Sequence, residues 1–228
     1  NLSNIYCEST AIVEGGYRMF QNNASSRKIY VPIELLETYK TTSYWSEYSN
    51  SLIGFVTATP PNDEIWYTTT NNSTISVSND IDFGASIVSN TYENGKGIIK
   101  FNKSVTKIGG SYDYAFTDSS LRSITFPNSV TSFGHGALQY NYGLFTLTIP
   151  ENVTSIAGWS FQGCTNIRTV YCESATPPTA SFTGYSEWGA FATQATGRII
   201  YVPKGSAEAY KNASGWKELA DYIKEYDI

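Results

Sequence analysis

The chain has few side chains that could carry out acid–base, nucleophilic or metal chemistry. His135 is its one histidine, and it stands between two glycines in Phe133-Gly-His-Gly136. An imidazole could act as a general base or activate a nucleophile, but this setting is typical of a turn, and we favour a turn residue. The cysteines Cys7, Cys164 and Cys172 share no short, regular spacing. The sequence therefore predicts no metal site, no cofactor and three buried, apolar cysteines, with a Cys164–Cys172 bridge as the alternative.

Acidic side chains are the other source of chemistry. A glycosidase needs two carboxyl groups that face each other across a cleft, about 5–9 Å apart. The acids here are scattered, and several lie in segments predicted to be helical: Glu34, Glu37, Glu208, Glu218, Asp221 and Glu225. Solvated helix faces explain them, so we predict that the chain is not an enzyme. A carbohydrate-active enzyme, or its sugar-binding accessory, is an alternative.

Composition narrows the function further. Hydrophobic residues make up 41% of the 228 residues and charged residues only 15%, which is typical of a folded chain with a Ser/Thr/Asn/Tyr surface. The net charge is −5, and no Lys/Arg run exceeds the pair Arg27-Lys28. These features argue against nucleic acid as a binding partner and against a polybasic membrane anchor. No stretch reaches the ~20 apolar residues of a membrane-spanning helix.

Binding is better supported than catalysis, through two candidate sets of residues. One set is a predicted exposed row along successive repeat strands: Lys100, Thr125, Thr148 and Tyr171. The other set consists of aromatic residues in bends beside Gly, Asn or Ser: Tyr112, Tyr114, Tyr140, Tyr142, Tyr185 and Trp188. Rigid amphipathic rings suit a protein or a glycan ligand. Each set also has a structural explanation, since threonines stack well on strands and the rings could cover the open side of the array.

An internal repeat positions both sets. Its most regular stretches begin at Ile99, Ile124 and Leu147, and the interval between the first two is slightly longer than that between the last two. Each unit has an extended stretch with alternating apolar residues, a Pro/Asn turn, a second short extended stretch and a bend. One unit cannot bury its apolar residues alone, whereas stacked units form a continuous ladder of parallel strands about 4.8 Å apart. The pattern therefore predicts a solenoid.

The sequence also contains a second repeat, at a longer interval. Ile29-Tyr-Val-Pro32 recurs as Ile200-Tyr-Val-Pro203, and Trp45 recurs as Trp216, both at the same offset along the chain. The following segment has apolar residues at helical spacing, with Ser206 as the expected N-cap and Gly215 as the expected break between two short helices. We predict a helical cap that covers the last rung of each array.

These repeats suggest five regions. Residues 1–55 are the terminal rung and helical cap of a preceding array, and residues 56–62 are a linker. Residues 63–98 form the leading cap of the second array, with a hairpin around Asn71-Asn72-Ser73. Residues 99–166 hold the repeats, and residues 167–228 hold the last rung and its helical cap. Since the chain begins at Asn1 rather than at Met, we expect a piece of a longer protein.

The repeat unit resembles that of a known family. The pattern Leu-x-x-Ile-x-Phe-Pro-x-Ser-Val-Thr-x-Phe-Gly, at Leu121–Gly134, resembles the BspA-like leucine-rich repeats of gut and oral anaerobic bacteria. The resemblance implies a leucine-rich-repeat solenoid, mainly β with short helices, of the right-handed β/α superhelix type. It also implies an exported protein on the outer cell surface that adheres to a protein or glycan of host or neighbouring cells. It carries over no site residues.

Two further expectations concern architecture and assembly. The duplicated cap supports an alternative function, that of a spacer that holds another domain away from the cell. The open first rung at Leu2–Cys7 leaves backbone groups unpaired, so we expect it either to pack on the second array or to self-associate with another chain.

Overall fold

The structure is a computed structural model that describes residues 4–7, 12–22, 27–32, 35–55, 59–78, 81–110, 114–116, 118, 120–181, 191 and 197–226. The chain divides into two compact units, Asn1–Ala58 and Thr59–Ile228. Each unit has its own hydrophobic core.

In its described residues, the first unit has a three-stranded parallel sheet and two short helices. In chain order its elements are β1 (Asn4–Tyr6), β2 (Lys28–Pro32), α1 (Leu36–Thr41), a 3₁₀ helix (Ser46–Ser51) and β3 (Leu52–Phe55). The central strand β2 turns Ile29 and Val31 into the core, where both are fully buried together with Tyr39. The indole N–H of Trp45 donates to the carbonyl of Val13 at 2.8 Å, and its ring meets that of Tyr39 edge to face.

The second unit contains the repeats and a second terminal module. In chain order its elements are β4 (Glu64–Thr69), β5 (Ile87–Glu93), β6 (Lys96–Phe101), β7 (Lys107–Ile108), β8 (Leu121–Thr125), β9 (Ser132–Phe133), β10 (Thr146–Ile149), β11 (Ser155–Ile156), β12 (Thr169–Cys172), β13 (Thr179–Ala180), β14 (Ile199–Pro203), α2 (Ala207–Asn212), a 3₁₀ helix (Lys217–Tyr222) and β15 (Ile223–Tyr226). In the described ranges these strands form three sheets, in the orders β5-β6-β4-β8, β10-β12-β14-β15 and β7-β9-β11-β13.

The first of these sheets is antiparallel and differs from the expected hairpin. We predicted that β4 would fold back at Asn71-Asn72-Ser73, and this prediction is wrong: β4 pairs with β6 and β8, and Val77 makes only an isolated bridge to Phe116. Both long edges of β4 are thereby occupied. The hairpin that forms instead joins β5 to β6 through Asn94-Gly95, where both residues have positive φ, as a two-residue type I′ turn requires.

The other two sheets are parallel and place equivalent residues of successive repeats side by side. Leu147 of β10 lies beside Val170 of β12, which lies beside Ile200 of β14, and all three side chains are fully buried. The alternation of threonine and apolar residues in β10 explains this arrangement, because neighbouring residues of a strand point to opposite faces of the sheet. The sequence thus builds a shared core from apolar residues that recur at the same positions of successive repeats.

Polar side chains tie the bends of successive repeats together. Asn141, fully buried, donates through Nδ2 to the carbonyl of Phe116 at 2.7 Å. Cys164, at the equivalent position of the next repeat, donates through Sγ to the carbonyl of Leu138 at 2.8 Å. Cys7, Cys164 and Cys172 are all free thiols, so the alternative of a Cys164–Cys172 bridge is wrong. Burial raises the pKa of the Cys164 thiol to about 12.

The second terminal module repeats the core contacts of the first unit. The indole N–H of Trp216 donates to the carbonyl of Pro178 at 2.8 Å, and its ring meets that of Tyr210 edge to face. Gly215 separates α2 from the 3₁₀ helix, as predicted, and it lies so close to Ala180 that a Cβ atom there would be 2.5 Å from the Ala180 carbonyl oxygen.

The start of α2 differs from the expectation. Ser206 occupies the N-cap position, but its hydroxyl makes no capping hydrogen bond and donates instead to the carbonyl of Pro203 at 2.6 Å. The carboxylate of Glu225 on β15 accepts from the backbone N–H of Ala207 at 3.2 Å. A residue distant in sequence thus takes over the capping role that we assigned to Ser206.

Candidate binding surface

The expected row of exposed strand residues is interrupted at its first member. Strand β4 lies between the strand of Lys100 and that of Thr125, and Lys100 is paired in register with Glu64. Its ammonium group lies 3.1 Å from the Glu64 carboxylate and 3.4 Å from that of Asp63. Hydrogen bonds to these two carboxylates raise the pKa of Lys100. Lys100 is exposed, but its charge is already matched within the protein.

The other members of the row differ in exposure. Thr125 and Thr148 are partly exposed, whereas Tyr171 is only 7% exposed. The Tyr171 ring stacks on Tyr201 of the next strand, with 5.1 Å between centroids, and meets Tyr226 edge to face. The expectation that Tyr171 would be exposed is therefore wrong. The physical reason is the parallel register, which places an aromatic ring beside it on β14.

The bend residues form a continuous exposed aromatic patch. Tyr114, Tyr140 and Tyr142 are 40%, 41% and 48% exposed. The rings of Tyr114 and Tyr140 lie 5.6 Å apart, and those of Tyr140 and Tyr142 lie 6.2 Å apart. We call these three residues the tyrosine patch. Three other predicted binding residues of the bends lie outside the described residues: Tyr112, Tyr185 and Trp188.

The backbone of Tyr140 is held in an unusual conformation. Its φ is +62°, in the left-handed region where a side chain costs roughly 1–2 kcal/mol. The equivalent residue of the next repeat is Gly163, with φ +74°. A Cβ atom on Gly163 would collide with the Tyr140 ring, so the absent side chain makes room for that ring. The repeat thus places a tyrosine where its neighbour has the sterically favoured glycine, which marks Tyr140 as a functional candidate.

A second aromatic pair lies at the start of the same bends. Trp159 also has a positive φ, of +60°, and its equivalent in the preceding repeat is Gly136. Its ring lies 5.6 Å from that of His135, and His135 Nδ1 is 2.7 Å from the carbonyl oxygen of Gly158. His135 therefore links neighbouring turns, in agreement with the interpretation of it as a turn residue.

Three further residues of the surface were missed in the sequence. Arg122, Phe145 and Arg168 occur at equal intervals, one per repeat, each directly before a serine or threonine of a repeat strand. The Arg122 guanidinium carbon lies 5.3 Å from the centroid of the Phe145 ring. The backbone N–H of Arg168 donates to the carbonyl of Phe145 at 3.0 Å. We call these three residues the arginine column; the repeat alignment itself contained the signal.

The tyrosine patch and the arginine column adjoin each other. Tyr142 lies shortly before Phe145 in the chain, and its carbonyl accepts a hydrogen bond from the Asn166 side chain at 2.8 Å. Asn166 in turn lies shortly before Arg168. The two sets are thus linked through Tyr142 and Asn166, and tyrosine, phenylalanine and arginine are enriched in protein interfaces.

Comparison with known proteins identifies the repeat type. A family model described as the BspA type leucine rich repeat region matches residues 85–185, in six copies. No curated protein matches the chain. Within the described ranges, His, Cys, Asp and Glu side chains form no group of three or more that could hold a metal ion. Every helix in that part of the chain is too short or too polar to cross a membrane.

Proposed function

Residues 85–185 belong to the BspA-type leucine-rich repeats, and from this premise we propose that the chain is a non-enzymatic binding module of the outer cell surface. It recognises a protein or glycan of host or neighbouring cells through the exposed side of its repeats. Modules of this family are commonly surface adhesion and binding modules, which supports the proposal.

The observation that carries the proposal is the tyrosine patch. Exposed aromatic rings that lie side by side offer a rigid contact surface, and tyrosine loses little conformational entropy on binding. The partly exposed threonines Thr125 and Thr148 extend this surface along the strands.

A panel of extracellular matrix proteins and immobilised glycans tests the proposal. We expect at least one ligand to bind the full chain, and we expect Tyr140→Asn to abolish that binding. Asparagine tolerates a positive φ, so this substitution removes the ring with little backbone strain. The matched control is Tyr44→Asn in the first unit, since Tyr44 is 45% exposed and has φ +66°. No ligand in the panel, or equal effects of both substitutions, would refute the proposal.

An architectural spacer is the second candidate, and the duplicated module favours it. Both units close with the same order of strand, helix, 3₁₀ helix and strand, and both bury an equivalent Tyr–Trp pair. We infer a right-handed solenoid in which Ala207–Tyr222 serves as the helical C-terminal cap, with residues 35–51 in the same role in the first unit. Under the spacer hypothesis, adhesion of the parent protein survives Tyr140→Asn unchanged.

A further inference from the structure

The arginine column carries two guanidinium groups whose charge no carboxylate of the described residues matches. Within the described residues, neither Arg122 nor Arg168 has a carboxylate within ion-pairing distance; Arg122 is partly exposed and Arg168 is exposed. By contrast, Lys100 and Lys107 are each paired with an acidic side chain. On a chain of net charge −5, Arg122, whose guanidinium lies against the Phe145 ring, and Arg168, whose backbone is hydrogen-bonded to Phe145, form a local concentration of positive charge.

A third arginine strengthens the positive potential from within. Arg198 follows Arg168 in the same column, since the N–H of Ile199 donates to the Arg168 carbonyl at 2.7 Å. Arg198 is 2% exposed, and its Nη1 has no hydrogen-bond partner in the described part of the chain. Burial lowers its pKa to about 10, so it keeps its charge at neutral pH. This charge is poorly screened because it lies away from solvent.

We propose that the arginine column, together with Tyr142, is a docking site for an acidic peptide segment of a protein partner. This inference rests on the proposed binding function and names its ligand. Phe145 links the two arginines, since the Arg122 guanidinium carbon lies 5.3 Å from its ring centroid and the Arg168 N–H donates to its carbonyl; at the usual strand spacing of about 4.8 Å per step, Arg122 and Arg168 are roughly 10 Å apart along the backbone. The peptide runs along the array, places one carboxylate on each guanidinium and lays an apolar side chain on the Phe145 ring.

The residue types favour a peptide over a polyanionic glycan. Guanidinium groups hold carboxylates by two parallel hydrogen bonds, which a lysine cannot do. Arginine, phenylalanine and tyrosine without lysine are typical of protein interfaces. A sulfated glycan binds mainly through many basic residues, and the longest Lys/Arg run of this chain is the pair Arg27-Lys28.

The test measures fluorescence anisotropy of a labelled peptide, Gly-Glu-Pro-Pro-Glu-Gly, with the full chain. In polyproline II geometry its two glutamates lie about 9 Å apart on one face. We expect this peptide to bind. We expect no binding of the control peptide in which glutamine replaces both glutamates. Arg122→Gln and Arg168→Gln should each weaken binding at least tenfold, the usual effect of losing a charge-assisted pair. Arg122→Lys keeps the charge but should also weaken binding, because the bidentate geometry is lost.

Controls separate the proposal from general effects. Arg18→Gln is the matched control, since the Arg18 guanidinium carbon lies 5.0 Å from the centroid of the Tyr17 ring in the first unit. Melting curves must show that each variant stays folded. Equal binding by the wild type and the Arg122→Gln/Arg168→Gln double variant, no binding of the peptide, or displacement by heparin but not by the unlabelled peptide would overturn the proposal. If the Arg122→Gln/Arg168→Gln double variant still binds a ligand of the panel that Tyr140→Asn no longer binds, the proposed binding function stands and the acidic-peptide site is refuted.

Discussion

The hydrogen bonds of Asn141 provide a sharp test of how the repeats hold together. We predict that Asn141→Ala destabilises the second unit severely, whereas Asn141→Cys does so only slightly. The repeat itself suggests the cysteine, because Cys164 occupies the equivalent position and its thiol donates to the carbonyl of the preceding bend. The pair of substitutions therefore separates the loss of a donor from the loss of asparagine as such.

The magnitude follows from the partners of the Asn141 side chain. In Asn141→Ala the carbonyl of Phe116 loses the one hydrogen bond that the described structure gives it. The carbonyl of Leu138 keeps a partner, since Cys164 also donates to it, whereas the backbone N–H of Asp118 loses its acceptor, Asn141 Oδ1 at 3.3 Å, in both variants. Leaving one buried carbonyl unsatisfied costs about 1–3 kcal/mol, and the lost bond contributes about 1 kcal/mol more. We expect a loss of roughly 2–4 kcal/mol for alanine and about 1 kcal/mol for cysteine.

The assay is thermal unfolding of the full chain, followed by circular dichroism. For a unit of this size, 1 kcal/mol shifts the melting temperature by about 2–4 °C. Asn141→Ala should therefore lower the transition of the second unit by about 5–15 °C, and a separate transition of the first unit should not change. Equal melting temperatures for the alanine and cysteine variants would refute the idea that a bend-to-bend hydrogen bond stabilises the repeats.

Two further predictions concern the terminal modules. Trp45→Phe removes the indole donor to the Val13 carbonyl, and Trp216→Phe removes the donor to the Pro178 carbonyl. Each substitution should lower the free energy of unfolding of its own unit by about 2 kcal/mol. Hydrogen exchange should accelerate only in the unit that carries the substitution, and acceleration in both units would contradict this. Burial, and then the charge of Glu151, raise the pKa of Glu173, so the folded state binds its proton more tightly than the unfolded state does. Stability from this group therefore falls as pH rises from about 4.3 through the raised folded pKa. Glu173→Gln should raise the melting temperature at pH 8 but not at pH 4, and an equal gain at both pH values would contradict the assignment.

The sequence predicted what depends on local pattern and on repetition. Equivalent tryptophans in the two copies of the terminal module predicted that both modules would pack alike, and Trp45 and Trp216 make matching contacts. Gly215 correctly predicted the break between the last two helices. Such features follow from residue type and spacing, so they are visible without a structure.

Features that depend on pairing between distant segments were not visible. Strand β4 enters between β6 and β8, and nothing in its own residues indicates both partners. The choice of Asn71-Asn72 as the hairpin turn overlooked the stronger Asn94-Gly95 signal. Tyr171 is buried because Tyr201 lies beside it, and the chain between these two residues is longer than one regular repeat.

The candidate site lies where the repeats differ, not where they agree. Positions that recur with the same chemistry, such as Leu147 and Val170, are buried and build the core. At Tyr140 and Gly163 one position alternates between tyrosine and glycine although the left-handed backbone is the same. In the arginine column the identity alternates between arginine and phenylalanine. The buried core needs the same kind of residue at the same position of every repeat. The positions at which the repeats differ are therefore the ones that can distinguish one ligand from another. Ligand specificity in this chain should therefore follow Tyr140 and the arginine column rather than the threonines of the strands.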